Sequence, residues 1–272
     1  MLKQSSSVWR GIRCRNATAR RWTNRVIRSP QTAGLAALAA FLILLEVAIR
    51  NGFIPATIVA PPSEAIAGLF TLQDRVDFVG GFSITFIITA VATLLEFAVG
   101  VPFGYFLFRQ RDFGIAYGGW LAALFAAPVF LLYPLFLVIF GRSYVTLVLM
   151  GFLPGVIPMI IEAEQGFLGV SPTLINVGRS HRLTAAQIFW KVMLPAAAPT
   201  IFTGFRLGLM YTLINIVAIE YLVDIGGLGR IVADRYFRFD IPGTYSAIIA
   251  VASISILFNW LIGRAERWIR PI

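Results

Sequence analysis

The chain has 272 residues, of which 58% are hydrophobic and 13% charged, with a formal net charge of +10 at neutral pH. That apolar share, well above the roughly 45–50% of soluble domains, excludes an ordinary water-soluble fold and places the chain in a bilayer. The single cysteine, Cys14, excludes an intrachain disulfide framework, and the single histidine, His181, excludes a multi-histidine metal site built from this chain alone.

Eight basic residues (Lys3, Arg10, Arg13, Arg15, Arg20, Arg21, Arg25 and Arg28) precede the first apolar run with no acidic residue among them. A basic arm before a span reads as an orientation signal held in the cytoplasm beside anionic lipid headgroups. No aromatic or fold signature accompanies the arginines, so nucleic acid is not expected as a partner. The apolar run that follows exceeds the roughly 7–15 residues of a signal-peptide core and reads as a retained span. The expected organisation is a basic cytoplasmic arm over 1–30 and a transmembrane domain over 31–272.

Hydropathy places six spans, at about 32–49, 83–108, 115–140, 144–161, 201–221 and 245–262, the third interrupted by Pro128 and Pro134. Charge tests this layout independently. With the N-terminus inside, sixteen Lys and Arg fall on cytoplasmic segments and six on outer ones, which supports both termini in the cytoplasm. The fold class expected is all-α, a polytopic membrane protein. Its outer connections are residues 51–81, where Ser63 and Glu64 follow a Pro-Pro break and open a short surface helix, and residues 222–243, with three glycines before a short amphipathic stretch.

The longest polar interruption, about 166–199, lies inside the cell in this topology. Ser171-Pro172 predicts an N-cap with proline at the first helical position, where its missing N–H costs nothing. Thr184-Ala185-Ala186-Gln187 matches a capping box, so a second helix starts there and the chain turns near His181–Leu183. Ile188, Phe189 and Val192 give that helix one apolar face, and Pro195 is expected to end it before Pro199 introduces the fifth span.

The stretch "GRSHRLTAAQIFWKVMLPAAAPTIFTGFRLGLMYTLINIVAIE" resembles the cytoplasmic loop and following helix of bacterial ABC-importer permeases, whose signature runs approximately E-A-A, three residues, G, then about nine residues to an apolar position before L-P. Within that superfamily it is most similar to the nitrate, sulfonate and taurine branch, which also holds permeases for pyrimidine vitamin precursors. "APPSEAI", Phe140-Gly141, "GFRLGL", Glu220 and "GGLGRIV" support it. The resemblance implies an importer-type permease fold and a channel of two permease subunits, as a homodimer or with a second, more typical permease. Each would be seated on a separate ATPase that carries Mg-ATP, and an extracytoplasmic binding protein would deliver the solute. It also implies that Gly178, Arg179, Ser180, His181, Arg182, Leu183, Thr184 and Gln187 contact the ATPase. Two positions depart from the signature: Asn176 replaces its leading glutamate and Arg182 its turn glycine. Glycine is favoured where φ is positive, and another residue there costs about 1–2 kcal/mol.

No G-x-x-x-x-G-K-[ST], H-E-x-x-H or G-x-S-x-G occurs, so neither ATP hydrolysis nor those catalytic chemistries, nor a cofactor or metal, is expected in this chain. Glu46, Glu96 and Glu220 are too scattered along the sequence to suggest an intramembrane transferase. An ion-gradient transporter is the stronger alternative, given slight support by the proline-interrupted third span. Tyr133, Tyr211 and Glu220 are the translocation-pathway candidates, and Arg206 and Glu220 stand too far apart on one helix to pair.

Overall fold

The computed structural model describes residues 30–75 and 78–269. The basic arm expected over 1–30 lies outside the described residues. The chain divides into two compact units, Met1–Pro55 and Ala56–Ile272.

In the first unit, α1 (Pro30–Arg50) is one apolar helix with large side chains such as Leu35, Ile43 and Leu44 exposed, as a lipid-facing helix requires. Near its end Glu46 pairs with Arg50 at 2.6 Å, one helical turn apart.

The second unit contains α2 (Pro62–Arg75), α3 (Phe78–Arg109), α4 (Arg111–Ala126), a 3₁₀ turn (Val129–Leu132), α5 (Tyr133–Phe140) and α6 (Tyr144–Leu168). It continues through α7 (Pro172–Ser180), α8 (Ala185–Ile188), a π turn (Phe189–Met193), α9 (Leu194–Val223), α10 (Gly227–Phe237) and α11 (Ile241–Ile269). The described residues contain no strand. Among the described residues, five helices are long and apolar enough to cross a membrane, and a sixth crossing results if α4 and the Val129–Phe140 segment, bent by 78° to each other, form one span. The expected spans are therefore present, most of them longer than hydropathy indicated, because helices extend into the polar flanks.

α3, α6 and α9 form the centre, and small residues set how closely they pack. Each carries two glycines four apart: Gly100 and Gly104, Gly151 and Gly155, Gly204 and Gly208. A Cβ on Gly104 would stand 2.6 Å from Ala163 Cβ and 2.8 Å from the Ile160 carbonyl oxygen, and one on Gly151 would stand 2.8 Å from Ile216. In lipid, where hydrophobic burial gives helices little reason to associate, this close backbone approach supplies the packing attraction. α2 packs on α11, and the Ser246 hydroxyl donates to the Ala65 carbonyl at 2.7 Å.

One expectation fails. Pro195 does not end the second loop helix: Ala185–Val223 is a continuous 39-residue helix. Proline inside a helix removes one bond and clashes with the carbonyl four residues back. Here the turn ahead of it is already widened, with Leu194 N–H bonding to Phe189 O, five residues back. The helix passes through the proline instead of stopping.

Candidate functional site

The polar hairpin is built from local signals. Ser171 Oγ accepts from Thr173 N–H at 3.3 Å and Pro172 opens α7. At the far end of α7, Arg182 N–H bonds to Arg179 O at 2.9 Å and Leu183 N–H to Gly178 O at 3.2 Å. This pair of bonds is a Schellman motif, and it puts Arg182 at the position that calls for a left-handed backbone. Arg182 takes φ of 57°, so the turn that glycine ordinarily makes is retained with a cationic residue in it. Thr184 and Gln187 then close the capping box: Gln187 Oε1 accepts from Thr184 N–H at 2.9 Å and Thr184 Oγ1 from Gln187 N–H at 3.3 Å.

The hairpin root is held and its tip is not. Ile188, Met193, Phe167 and Ala163 are buried together, and Tyr105 lies 4.5 Å from the Phe189 ring and 5.2 Å from that of Phe167. Gly178 is buried where α7 crosses α8; a Cβ on it would meet Ile188 at 3.3 Å. Of the other residues named from the resemblance, Arg179, Ser180, His181, Arg182, Thr184 and Gln187 are exposed and Leu183 is half-buried. From Ser171 to Met193 the chain carries Arg179, Arg182 and Lys191 and no acidic residue, so this tip presents positive charge.

At the opposite ends of α6 and α9 a second construction appears. Glu220 is fully buried; its carboxylate oxygens each lie 2.9 Å from the Thr85 hydroxyl, and Oε2 accepts from Gly229 N–H at 3.0 Å. Leu228 N–H donates to Thr85 Oγ1 at 2.9 Å. The acid thus caps the N-terminus of α10 from within the bundle, where a negative group is favoured. Gly226 and Gly227, at φ of 135° and 85°, make the tight entrance, and a Cβ on Gly227 would collide with the Glu220 carboxylate. Just outside, Arg142 donates to the carbonyls of Val223 (2.5 Å) and Asp224 (2.9 Å), and Arg230 pairs with Asp224 at 2.5 Å.

Glu96, also fully buried, fills the gap left by the absent side chains of Gly155 and Gly208, with the Thr212 hydroxyl in reach of both its carboxyl group and the Gly151 carbonyl. Arg206 pairs with Glu266 at 3.1 Å, not with Glu220. No group of three or more potential metal ligands is present among the described residues. Of the pathway candidates, Tyr211 is partly exposed with its ring 4.8 Å from Phe125, and Tyr133 packs half-buried against the cluster containing Ile88, Leu147 and Ile216. Neither tyrosine hydrogen-bonds to Glu220, whose carboxylate is held by Thr85 and Gly229. The buried roles of Glu96 and Thr85 have no signal in the local sequence.

The profile of a family described as "binding-protein-dependent transport system inner membrane component" matches residues 97–271. Among curated proteins, the chain is 25% identical over 174 residues to a protein of Brucella melitensis described as a probable ABC transporter permease, covering 64% of this chain and 71% of that one. It is 28% identical over 137 residues to the bicarbonate transport system permease protein CmpB of Synechococcus elongatus, covering 50% and 49%. It is 32% identical over 120 residues to the nitrate import permease protein NrtB of a Synechocystis strain, covering 44% of each. A chain of the inward-facing MetNI methionine ABC transporter shares the fold, with a TM-score of 0.60 at 23% identity over 71% of this chain and 96% of that one.

Proposed function

The chain belongs to the family of binding-protein-dependent transport system inner membrane components, and from that premise we propose that it is one permease subunit of an ATP-driven importer, coupled through the α7–α8 hairpin to a separate ATPase. Members of this family are multi-pass inner-membrane channel subunits and not catalysts. The permease domain spans 31–272 in this reading. The hairpin and both termini lie in the cytoplasm, as the sixteen-to-six distribution of basic residues favours.

The observation that carries the reading is the hairpin itself: two capped helices joined by a Schellman turn, rooted in an aromatic cluster and exposed at a basic tip. Gly178, Arg179, Ser180, His181, Arg182, Leu183, Thr184 and Gln187 form the docking segment. Its arginines favour an acidic groove on the ATPase, the subunit that also carries Mg-ATP at a site of its own. A rigid element gripped there transmits nucleotide-driven closure to the spans as rigid-body motion. A second permease copy, or a related permease, completes the channel, and a binding protein delivers the solute at the opposite end. The relatives named for nitrate and bicarbonate favour a small oxyanion as that solute.

Co-expression with a candidate ATPase subunit tests this. The expected result is a co-purifying complex that hydrolyses ATP, while the chain alone does not, and loss of the complex when Arg179 and Arg182 are both replaced by glutamate. Uncoupler-sensitive, ATP-independent flux through the chain alone would assign it to ion-gradient transport instead.

A further inference from the structure

The two buried acids of the bundle are held in opposite ways. Glu220 collects donors, with the Thr85 hydroxyl and Gly229 N–H both turned to its carboxylate. Glu96 collects almost none. Its Oε1 touches a single hydroxyl, that of Thr212, and its buried Oε2 has no hydrogen-bond partner. Three residues back on α3, the Thr93 hydroxyl is also buried and without a partner, yet it does not turn to the acid. None of the ion pairs among the described residues includes Glu96, and Arg206, the cation on the neighbouring helix α9, is turned to Glu266.

The carboxyl group is also deep and closely walled. Glu96 stands eighteen residues from the start of α3 and thirteen from its end, about 27 and 20 Å along the axis. A helix of about 48 Å overhangs a hydrocarbon slab of about 30 Å by about 18 Å in all, so Glu96 lies inside the slab however that overhang is shared. The facing helices present Gly151 and Gly155 from α6 and Gly208 and Thr212 from α9, none of them titratable. α6 and α9 approach so closely there that a Cβ on Gly208 would stand 2.8 Å from the Gly155 carbonyl oxygen. An ionised carboxylate with one neutral donor and no cation is what buried sites avoid, because a buried charge is stable only when it is paired and hydrogen-bonded.

Hydrogen counting points the same way. Thr212 Oγ1 is within hydrogen-bond reach of Glu96 Oε1 and, at 2.9 Å, of the Gly151 carbonyl oxygen. A threonine hydroxyl has one hydrogen, and a carbonyl oxygen can only accept. When that hydrogen goes to Gly151, the one between Thr212 and Glu96 must come from the acid.

We propose that Glu96 is a neutral carboxylic acid whose O–H donates to Thr212 Oγ1 while the Thr212 hydroxyl donates to the Gly151 carbonyl. These two bonds in series tie α3 to α9 and α9 to α6, so a single proton clasps the three central helices where their glycines bring them together. The helix that carries Thr212 runs unbroken from the hairpin. A shift of α9 against α3 therefore breaks the Glu96–Thr212 bond, whereas a shift that keeps it carries the three helices as one block. The clasp does not depend on the transport function proposed above.

Infrared difference spectroscopy tests it on the full chain in an ester-free detergent at neutral pH. A protonated carboxyl group has a C=O stretch above the amide I band, where a carboxylate does not absorb. The native spectrum minus that of Glu96→Gln should show one such band, and bands common to both proteins, including any from Glu220, cancel. Glu96→Met, equally uncharged, is the second blank should the glutamine variant fail to elute monodisperse. Absence of the band would overturn the proposal. Thr212→Val removes the acceptor, so the band, isolated with the matching double variant, should move to higher frequency; a band left in place would show that the proton is not given to Thr212 and would overturn the clasp. The unfolding constant in an SDS titration is a separate reading. Glutamine offers an N–H where the neutral acid offers an O–H, so Glu96→Gln should not lower that constant by more than about threefold. A fall of about tenfold or more would mean that the replacement relieved a buried charge, and the acid would then be ionised, against the proposal.

Discussion

Replacing Glu220 with alanine removes the acceptor that closes the N-terminus of α10. Two buried donors, Gly229 N–H and the Thr85 hydroxyl, lose their partner, and Leu228 N–H then depends on a Thr85 side chain with no other anchor. A buried donor left unsatisfied costs about 1–3 kcal/mol, so the pair amounts to about 2–6 kcal/mol. Because α10 begins beside the exposed Arg142, Asp224 and Arg230 side chains, water reaches the opened site and the lower part of that range applies, about 2–3 kcal/mol. At 1.4 kcal/mol per tenfold, amide exchange in the first turns of α10 should accelerate by about 30- to 150-fold. Hydrogen exchange with mass spectrometry on the full chain in nanodiscs, following peptides that cover 226–233 with peptides of α6 as the reference, measures this. Glu220→Gln keeps one acceptor oxygen and should show about a tenfold effect. Unchanged protection of 226–233 in the alanine variant would refute the assignment of Glu220 as an internal cap.

Thr184→Ala removes the capping box and should cost about 1 kcal/mol, read as faster exchange across 185–188 with α9 unaffected. Arg182→Gly relieves the left-handed strain by about 1 kcal/mol, so exchange across 183–188 should slow by about fivefold; no change would show that Arg182 is held by other contacts. Gly104→Val drives a side chain into the Ile160 carbonyl and the Glu164 amide, at a cost of about 3 kcal/mol or more, and should abolish monodisperse elution from detergent. Gly118→Ala, at a position with nothing within 4 Å of the added methyl, should elute unchanged.

What was legible in the sequence was what local chemistry dictates. Ser171-Pro172 and Thr184-x-x-Gln187 act within four residues of themselves, and both caps form where they were expected. Long apolar runs announce spans for the same reason. The reading of Pro195 as a stop failed because a breaker rule considers the proline and not the turn before it, which the π geometry had already widened. Glu220 and Thr85 lie 135 residues apart, and nothing near either one signals the other. The glycine pairs at 100/104, 151/155 and 204/208 are visible as a spacing, but which helix each approaches is fixed only by the assembled bundle. Arg182 is a different case: the sequence marks it as a departure from the signature's glycine, and its φ of 57° shows that the left-handed turn is kept all the same.

The unbroken helix from Ala185 to Val223 makes the hairpin and the span a single lever. Thirty-nine residues measure about 58 Å, so a tilt of about 5° pivoted at the hairpin sweeps the far end through about 5 Å. That far end carries Glu220, and through it the first turn of α10. A small rotation of the hairpin thus becomes a displacement of several ångströms at the other end of the same helix, about 5 Å for that tilt.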